Sequence, residues 1–293
     1  MGSDHAGGGN VLRTSRQHRL RPALSVNAAG FVRYAYGFPL AVVAAVVTFG
    51  LAGQTVPSIP LRFWPIVAGA GIAQIAGTVA LLRSFDLRDF AIGTVYAKTE
   101  VVLVAVVSAV ALGEALRPLG WVAVVVCMIG VIWLAAPSGL RTTAAGAGDP
   151  AAGMGVAAAA GFAVAAVGIR AASNSLGDAP TWSRALLTLT IMLGVQTALN
   201  GAQLAATARH EIGDVVRHWR TALPVGILSL AGSASWATAV TLTNAAKVRT
   251  LGQVELVMAF AISAWWLHEE HRPREYAASA LVMLGIIGVI VVG

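Results

Sequence analysis

Four charged side chains stand inside or at the edge of long apolar runs: Arg33, Lys98, Glu100 and Glu255. A charge at the centre of a bilayer costs at least about 2.5–3.5 kcal/mol on insertion scales, so such groups face a cavity, a partner or a solute rather than lipid. Glu100 and Glu255 occupy equivalent places in an internal repeat, described below, and are the expected coupling site for a proton or another cation. The competing reading pairs them structurally with Lys98, Lys247 or Arg249. The runs also carry Tyr34, Tyr36, Gln74, Tyr96, Ser233, Ser235, Trp236, Thr238 and Gln253. A solute cavity needs a few placed polar groups and aromatic walls, and Gln74, Tyr96, Trp236 and Gln253 are the expected solute-binding residues. Gln74 and Trp236 flank Gly77 and Gly232. Tyr34, Tyr36 and the tryptophans near run ends (Trp64, Trp121, Trp182, Trp219, Trp265, Trp266) read as interfacial anchors. Arg33 and Arg184 open the first and sixth runs. Either could bind a carboxylate, but snorkelling to the headgroups is the favoured reading.

Other chemistry finds little footing. His268-Glu269-Glu270-His271 lacks the spacing of a zinc-binding H-E-x-x-H helix, so no metal is expected. Gly7-Gly8-Gly9 is followed by no Lys-Ser/Thr, and no nucleophile elbow is present. No cofactor and no enzymatic activity are expected. A lone cysteine, Cys127, excludes an internal disulfide framework.

The elements that must position these residues follow from composition. The chain has 293 residues, 57% hydrophobic and 11% charged, where soluble proteins carry about 25% charged residues. Nine apolar runs lie at roughly 31–51, 63–82, 91–112, 120–136, 151–169, 185–206, 221–242, 248–267 and 275–292. Most reach the ~20 residues that a hydrocarbon core demands. They do not alternate as barrel strands would, so each must be a helix that satisfies its own backbone. Residues 1–30 form a polar segment with Arg13, Arg16, Arg19 and Arg21 and no secretory core. The net charge of +7 is ordinary for a membrane protein and gives nucleic acid binding little support.

Sliding the sequence on itself aligns residues 62–132 with 217–287 without a gap, with 20 of 71 positions identical. The matches include Arg62/Arg217, Trp64/Trp219, Gly77/Gly232, Glu100/Glu255, Ser108/Ser263, Glu114/Glu269, Pro118/Pro273 and Gly130/Gly285. An odd number of crossings separates each helix from its equivalent, so the halves should lie with opposite orientations, a design of secondary transporters. The expected fold is therefore an all-α integral membrane bundle with an inverted repeat. Nine transmembrane helices are visible of an expected ten, four in the half at 31–136 and five in the half at 151–293. The partner of the helix at 151–169 would lie upstream of about residue 16. Residues 1–30 then read as the stump of a missing first helix, through a late start or a natural nine-span variant, or else as an ordinary extension.

The turn Leu112-Gly113-Glu114-Ala115-Leu116-Arg117-Pro118, followed by Gly120 and Gly130, recurs as Leu267-His268-Glu269-Glu270-His271-Arg272-Pro273, followed by Gly285. With this pair of turns at the ends of equivalent helices, the chain resembles the EamA-type family of the drug/metabolite transporter superfamily. The resemblance implies ten helices in two inverted halves and transport of amino acids, metabolites or drugs. Glu114 and Glu269 read as interfacial caps or salt bridges with Arg117 and Arg272, worth little energy. Lys and Arg counts in loops, twelve against six, favour a cytoplasmic start; the resemblance implies the reverse for an intact ten-helix parent.

The expected function is a secondary transporter of a small organic solute, amino acid-like or a drug, in a bacterial plasma membrane. It would work by alternating access, with the solute near Gln74, Tyr96, Trp236, Gln253 and the glutamates. Protons or another cation would drive it, and a second copy of the chain is a candidate partner. The alternative, motivated by the missing helix, is a truncated non-transporting membrane protein or assembly partner.

Overall fold

Apolar segments that meet lipid on their flanks have no water to satisfy backbone N–H and C=O groups, and helix is the local answer. The computed structural model describes residues 26–87, 90–135, 148–217, 219–266 and 271–293. The basic segment Arg13 to Arg21, the turn residues His268, Glu269 and Glu270, and most of the linker at 137–150 lie outside these. The helices are α1 (Val26–Ala45, continued by a wide turn Val46–Leu51), α2 (Phe63–Leu87), α3 (Phe90–Ala97), α4 (Glu100–Leu112), α5 (Pro118–Ala135), α6 (Pro150–Asn174), α7 (Thr181–Thr207), α8 (Arg209–Arg217), α9 (Trp219–Leu242), α10 (Ala245–Leu251), α11 (Val254–Ala261, continued by a wide turn Ile262–Trp266) and α12 (Pro273–Val292). Among the described residues, eight helical stretches are long and apolar enough to cross a membrane. The difference from nine lies in the run 248–267, which the structure divides into α10, α11 and the wide turn. Gly252 and Gln253 interrupt it, and glycine inside a helix costs about 1 kcal/mol relative to alanine. Large apolar side chains such as Val43, Val110, Leu242 and Val291 are exposed. So many exposed apolar side chains suit a lipid-facing surface.

The chain divides into two compact units. One holds Ala80–Ala163 and Asn244–Gly293, the other residues 26–79 and Val164–Thr243. In the first unit α5 packs along α12. Gly130 opposes Val282, Gly285 opposes Cys127, and Ala123 opposes Gly288. Residue numbers rise along one helix as they fall along the other, so the two run antiparallel. Val282 stands 155 positions after Cys127, and Gly285 stands 155 after Gly130. The Gly130–Val282 and Cys127–Gly285 contacts therefore mirror each other, the pattern of a two-fold interface, here made between equivalent helices of one chain. The buried cluster in the seam consists of Cys127, Val131, Val282 and Ile286, again two equivalent pairs. Small residues bring the backbones close, as lipid-embedded helix pairs require.

In the second unit α1 packs on α7 and α9. Phe31, Val32, Leu204, Val215, Ala222 and Val225 form its buried cluster. The amphipathic α8 is held by the Tyr36 hydroxyl, which donates to the Val215 carbonyl at 2.9 Å. Arg170 of α6 donates to the carbonyls of Val240 (2.7 Å) and Thr243 (2.6 Å). This satisfies carbonyls that the end of α9 would leave without partners.

Candidate functional site

The first unit contains two interruptions in apolar runs. Between α3 and α4 the helix tightens at residues 98–99, with Lys98 N–H donating to the Val95 carbonyl and Val101 N–H to the Lys98 carbonyl. Between α10 and α11 it tightens at residues 252–253, with Gln253 N–H donating to the Thr250 carbonyl and Glu255 N–H to the Gly252 carbonyl. All four bonds close over three residues, the tighter 3₁₀ geometry that often marks a hinge or functional point inside a helix. With the repeat offset of 155, positions 98–99 correspond to 253–254, so the interruptions fall at equivalent places within one residue. Each is followed at once by a glutamate in the first turn of the next helix, Glu100 in α4 and Glu255 in α11. Carboxylates favour that position because the helix N-terminus is positive.

The two glutamates then diverge. Glu100 is buried, 3% exposed, and is bound by the Arg249 Nη2 of α10 in a short charge-assisted contact. This is the structural pairing that competed with the coupling role in the sequence. Glu255 is exposed. Lys98 lies within the field of Arg249, Glu255 and Glu100, so two acids and two bases share one locality. Gln253 is 4% exposed. Its Nε2 donates to the Arg249 carbonyl at 3.3 Å, while its Oε1 is buried with no hydrogen-bond partner. Tyr96 stands at the first interruption, where its carbonyl accepts from the Thr99 hydroxyl at 2.7 Å. Gly155 of α6 admits α3 there, since a Cβ at that position would lie 2.8 Å from the Tyr96 Cβ. Asn244 ties α10 to the turn after α4: its Oδ1 caps Ala246 N–H, and its Nδ2 donates to the Glu114 carbonyl at 3.0 Å. Gly113 ends α4 at a φ of 70°, a left-handed conformation that favours glycine.

Gln74 and Trp236 belong to the second unit. The Gln74 Oε1 accepts from Gln196 Nε2 at 2.8 Å, and the same Nε2 lies 3.3 Å from the Gly71 carbonyl. Gln196 and Asn200 are buried polar residues that the sequence reading passed over. Their signal was the polar stripe Gln196, Asn200 and Gln203 on one face of α7. Ser235 and Thr238 bond back to the carbonyls of Ala231 and Ala234 in their own helix, which uses their hydroxyls locally. Tyr34 is buried at 1% exposure and lies 3.5 Å from the Thr78 hydroxyl. It packs inside the unit rather than anchoring at the interface, because its helix face turns to α2. Trp64, Trp182, Trp219 and Trp265 are exposed, as belt residues are.

One arrangement is invisible in the sequence. Ser263 Oγ lies 2.9 Å from His271 Nε2, and His271 Nδ1 lies 2.7 Å from Glu275 Oε2. Serine, histidine and carboxylate in that order can activate a nucleophile. Ser263 is only 7% exposed, and the Phe260 ring lies 4.7 Å from the imidazole, so the chain of bonds reads as a pin between the wide turn after α11 and the start of α12. Each net hydrogen bond is worth about 0.5–1.5 kcal/mol. His271→Ala is expected to lower stability by about 1–3 kcal/mol, measured by thermal unfolding in detergent; an unchanged transition would remove the pin. Among the described residues, no group of three or more His, Cys, Asp or Glu could hold a metal.

Residues 150–291 match the model of the EamA-like transporter family. Among solved structures 28 chains match. One of these, described only as "Crystal structure of protein", superposes with a TM-score of 0.64 at 17% identity, over 96% of this chain and 91% of that chain. At that identity the likeness shows the fold alone. No curated protein matches the chain.

Proposed function

We propose that this chain, whose residues 150–291 belong to the EamA-like transporter family, is a secondary transporter that carries a small organic solute by alternating access. That match supports a multi-pass membrane transporter of the drug/metabolite transporter superfamily, which is not an enzyme family. The observation that carries the finer reading is the equivalent pair of helix interruptions, each followed by a glutamate. Interrupted helices at matching places in two halves are where transporters of inverted design hold solute and coupling ion. An exposed carboxylate inside an apolar run, as at Glu255, suits a position that faces water, solute or a charged partner such as Lys98. Lys98 shares its locality with Arg249 and Glu100. Tyr96 and Gln253 are the proposed solute contacts at the interruptions, and Gln74 and Trp236 are proposed to line the path in the second unit. Protons are the proposed coupling ion, and a bacterial plasma membrane the proposed location.

The test is uptake of a radiolabelled amino acid mixture into membrane vesicles under an imposed pH gradient. Vesicles with the chain should accumulate label above empty ones. The double variant Glu100→Gln, Glu255→Gln should abolish the gradient-driven part. Gradient-driven uptake that survives in the double variant would discard the coupling role.

A further inference from the structure

We infer that Arg33 is an anion subsite that receives the carboxylate of the solute, an inference that rests on the transport reading. Arg33 lies in the membrane-spanning stretch Gly30–Leu51. Its Nη2 donates to the Ser233 hydroxyl at 3.1 Å, and its guanidinium lies 5.9 Å from the Tyr34 ring centroid. Both partners are neutral. The Nε is buried with no hydrogen-bond partner. Among the described residues of its unit the acids are Asp178, Glu211 and Asp214. Asp178 sits in the turn after α6, and the other two on the connecting α8. Among the described residues of its unit, Arg33 therefore has no carboxylate to neutralise its charge at membrane depth.

Snorkelling would explain an uncompensated arginine if it reached the headgroups. Ser233 lies midway along the crossing stretch Ala222–Leu242, and the guanidinium turns to it, away from either end. Arg184 shares the buried, unpartnered Nε but differs in place: its Nη1 meets the exposed Asn174 side chain at the end of α6, as an interfacial arginine does. A guanidinium presents a planar fork that matches a carboxylate with two parallel bonds, and at Arg33 the Nε side of that fork is unused. Trp236 follows Ser233 by three positions on the same helix face, so an apolar or aromatic body suits the same solute. The structure thus points to an organic acid, with an anionic lipid phosphate as the other source of the same chemistry.

The test uses purified protein in nanodiscs of neutral phosphatidylcholine, with radiolabelled benzoate as probe. Saturable benzoate binding is expected. It should weaken by about tenfold or more in Arg33→Gln, the worth of a charged hydrogen bond, and weaken less in Arg33→Lys. Benzamide should fail to compete. Ser233→Asp should fill the subsite from within, raising the melting temperature and abolishing benzoate binding. Equal competition by benzamide, unchanged binding in Arg33→Gln, or a lower melting temperature in Ser233→Asp would each overturn the inference. So would an absence of benzoate binding together with a bound phosphatidylglycerol that Arg33→Gln releases, which would assign the site to lipid. Benzoate binding without gradient-driven uptake would leave the subsite standing and bring down the transport reading instead.

Discussion

Arg249→Met is expected to destabilise the protein by about 3–5 kcal/mol, the cost of stripping a buried charge of its partner. Glu100 is the reason. It is 3% exposed, and removing the guanidinium leaves a carboxylate with neither water nor its ion-pair partner. Glu100→Leu should cost less, because the Arg249 side chain it leaves behind is 27% exposed and keeps other interactions. The double variant Glu100→Leu, Arg249→Met should recover much of the loss, because apolar replacement of an entire buried pair is close to neutral in stability. Thermal unfolding of the four proteins in detergent checks this as a double-mutant cycle. Additive losses would mean that the two side chains do not depend on each other. The stable double variant has a second use: if it folds and still performs gradient-driven uptake, the pair is scaffolding and Glu255 alone remains as a coupling candidate.

Gly285→Ala and Gly130→Ala are expected to cost about 1–3 kcal/mol each through overpacking. A Cβ at Gly285 would lie 2.5 Å from the Cys127 nitrogen, and one at Gly130 would lie 2.7 Å from the Val282 nitrogen. Backbone cannot rotate out of the way as a flexible side chain can, so α5 and α12 must part. Once one alanine has spread the seam, the other finds the space already opened. The double variant should therefore lose less than the sum of the singles. Full additivity in the melting transitions would show that the two contacts are accommodated separately and that the seam does not move as a unit.

Much of this was legible in the residues, for physical reasons. Lipid forces apolar runs into helices, so run length alone located the crossing segments. Identity at an offset of 155 picked out Glu100 and Glu255 as equivalents. The helix interruptions were harder to see, because Lys98-Thr99 and Gly252-Gln253 add only two polar or small residues to a run whose mean hydropathy stays high. Their signal lay in the comparison, where polar or small residues precede both glutamates. The exposure of Glu255 against the burial of Glu100 was not legible at all, since it depends on Arg249 of α10 reaching across to α4. Tyr34 and Arg33 share one difficulty. Sequence position near a run's start suggests the interface, but side-chain direction is set by the neighbouring helix, and here it leads inward to Thr78 and to Ser233.

The mirrored seam also sets a timetable for biosynthesis. The partner of α5 is encoded 155 residues downstream. At ~5–20 residues per second, the ribosome needs about 8–30 s to deliver it. Throughout that interval the glycine face of α5 stands open in the bilayer, available to lipid, to chaperones or to a neighbouring chain. A helix that can be completed only by its own late copy is one whose correct assembly depends on translation finishing before something else fills the groove.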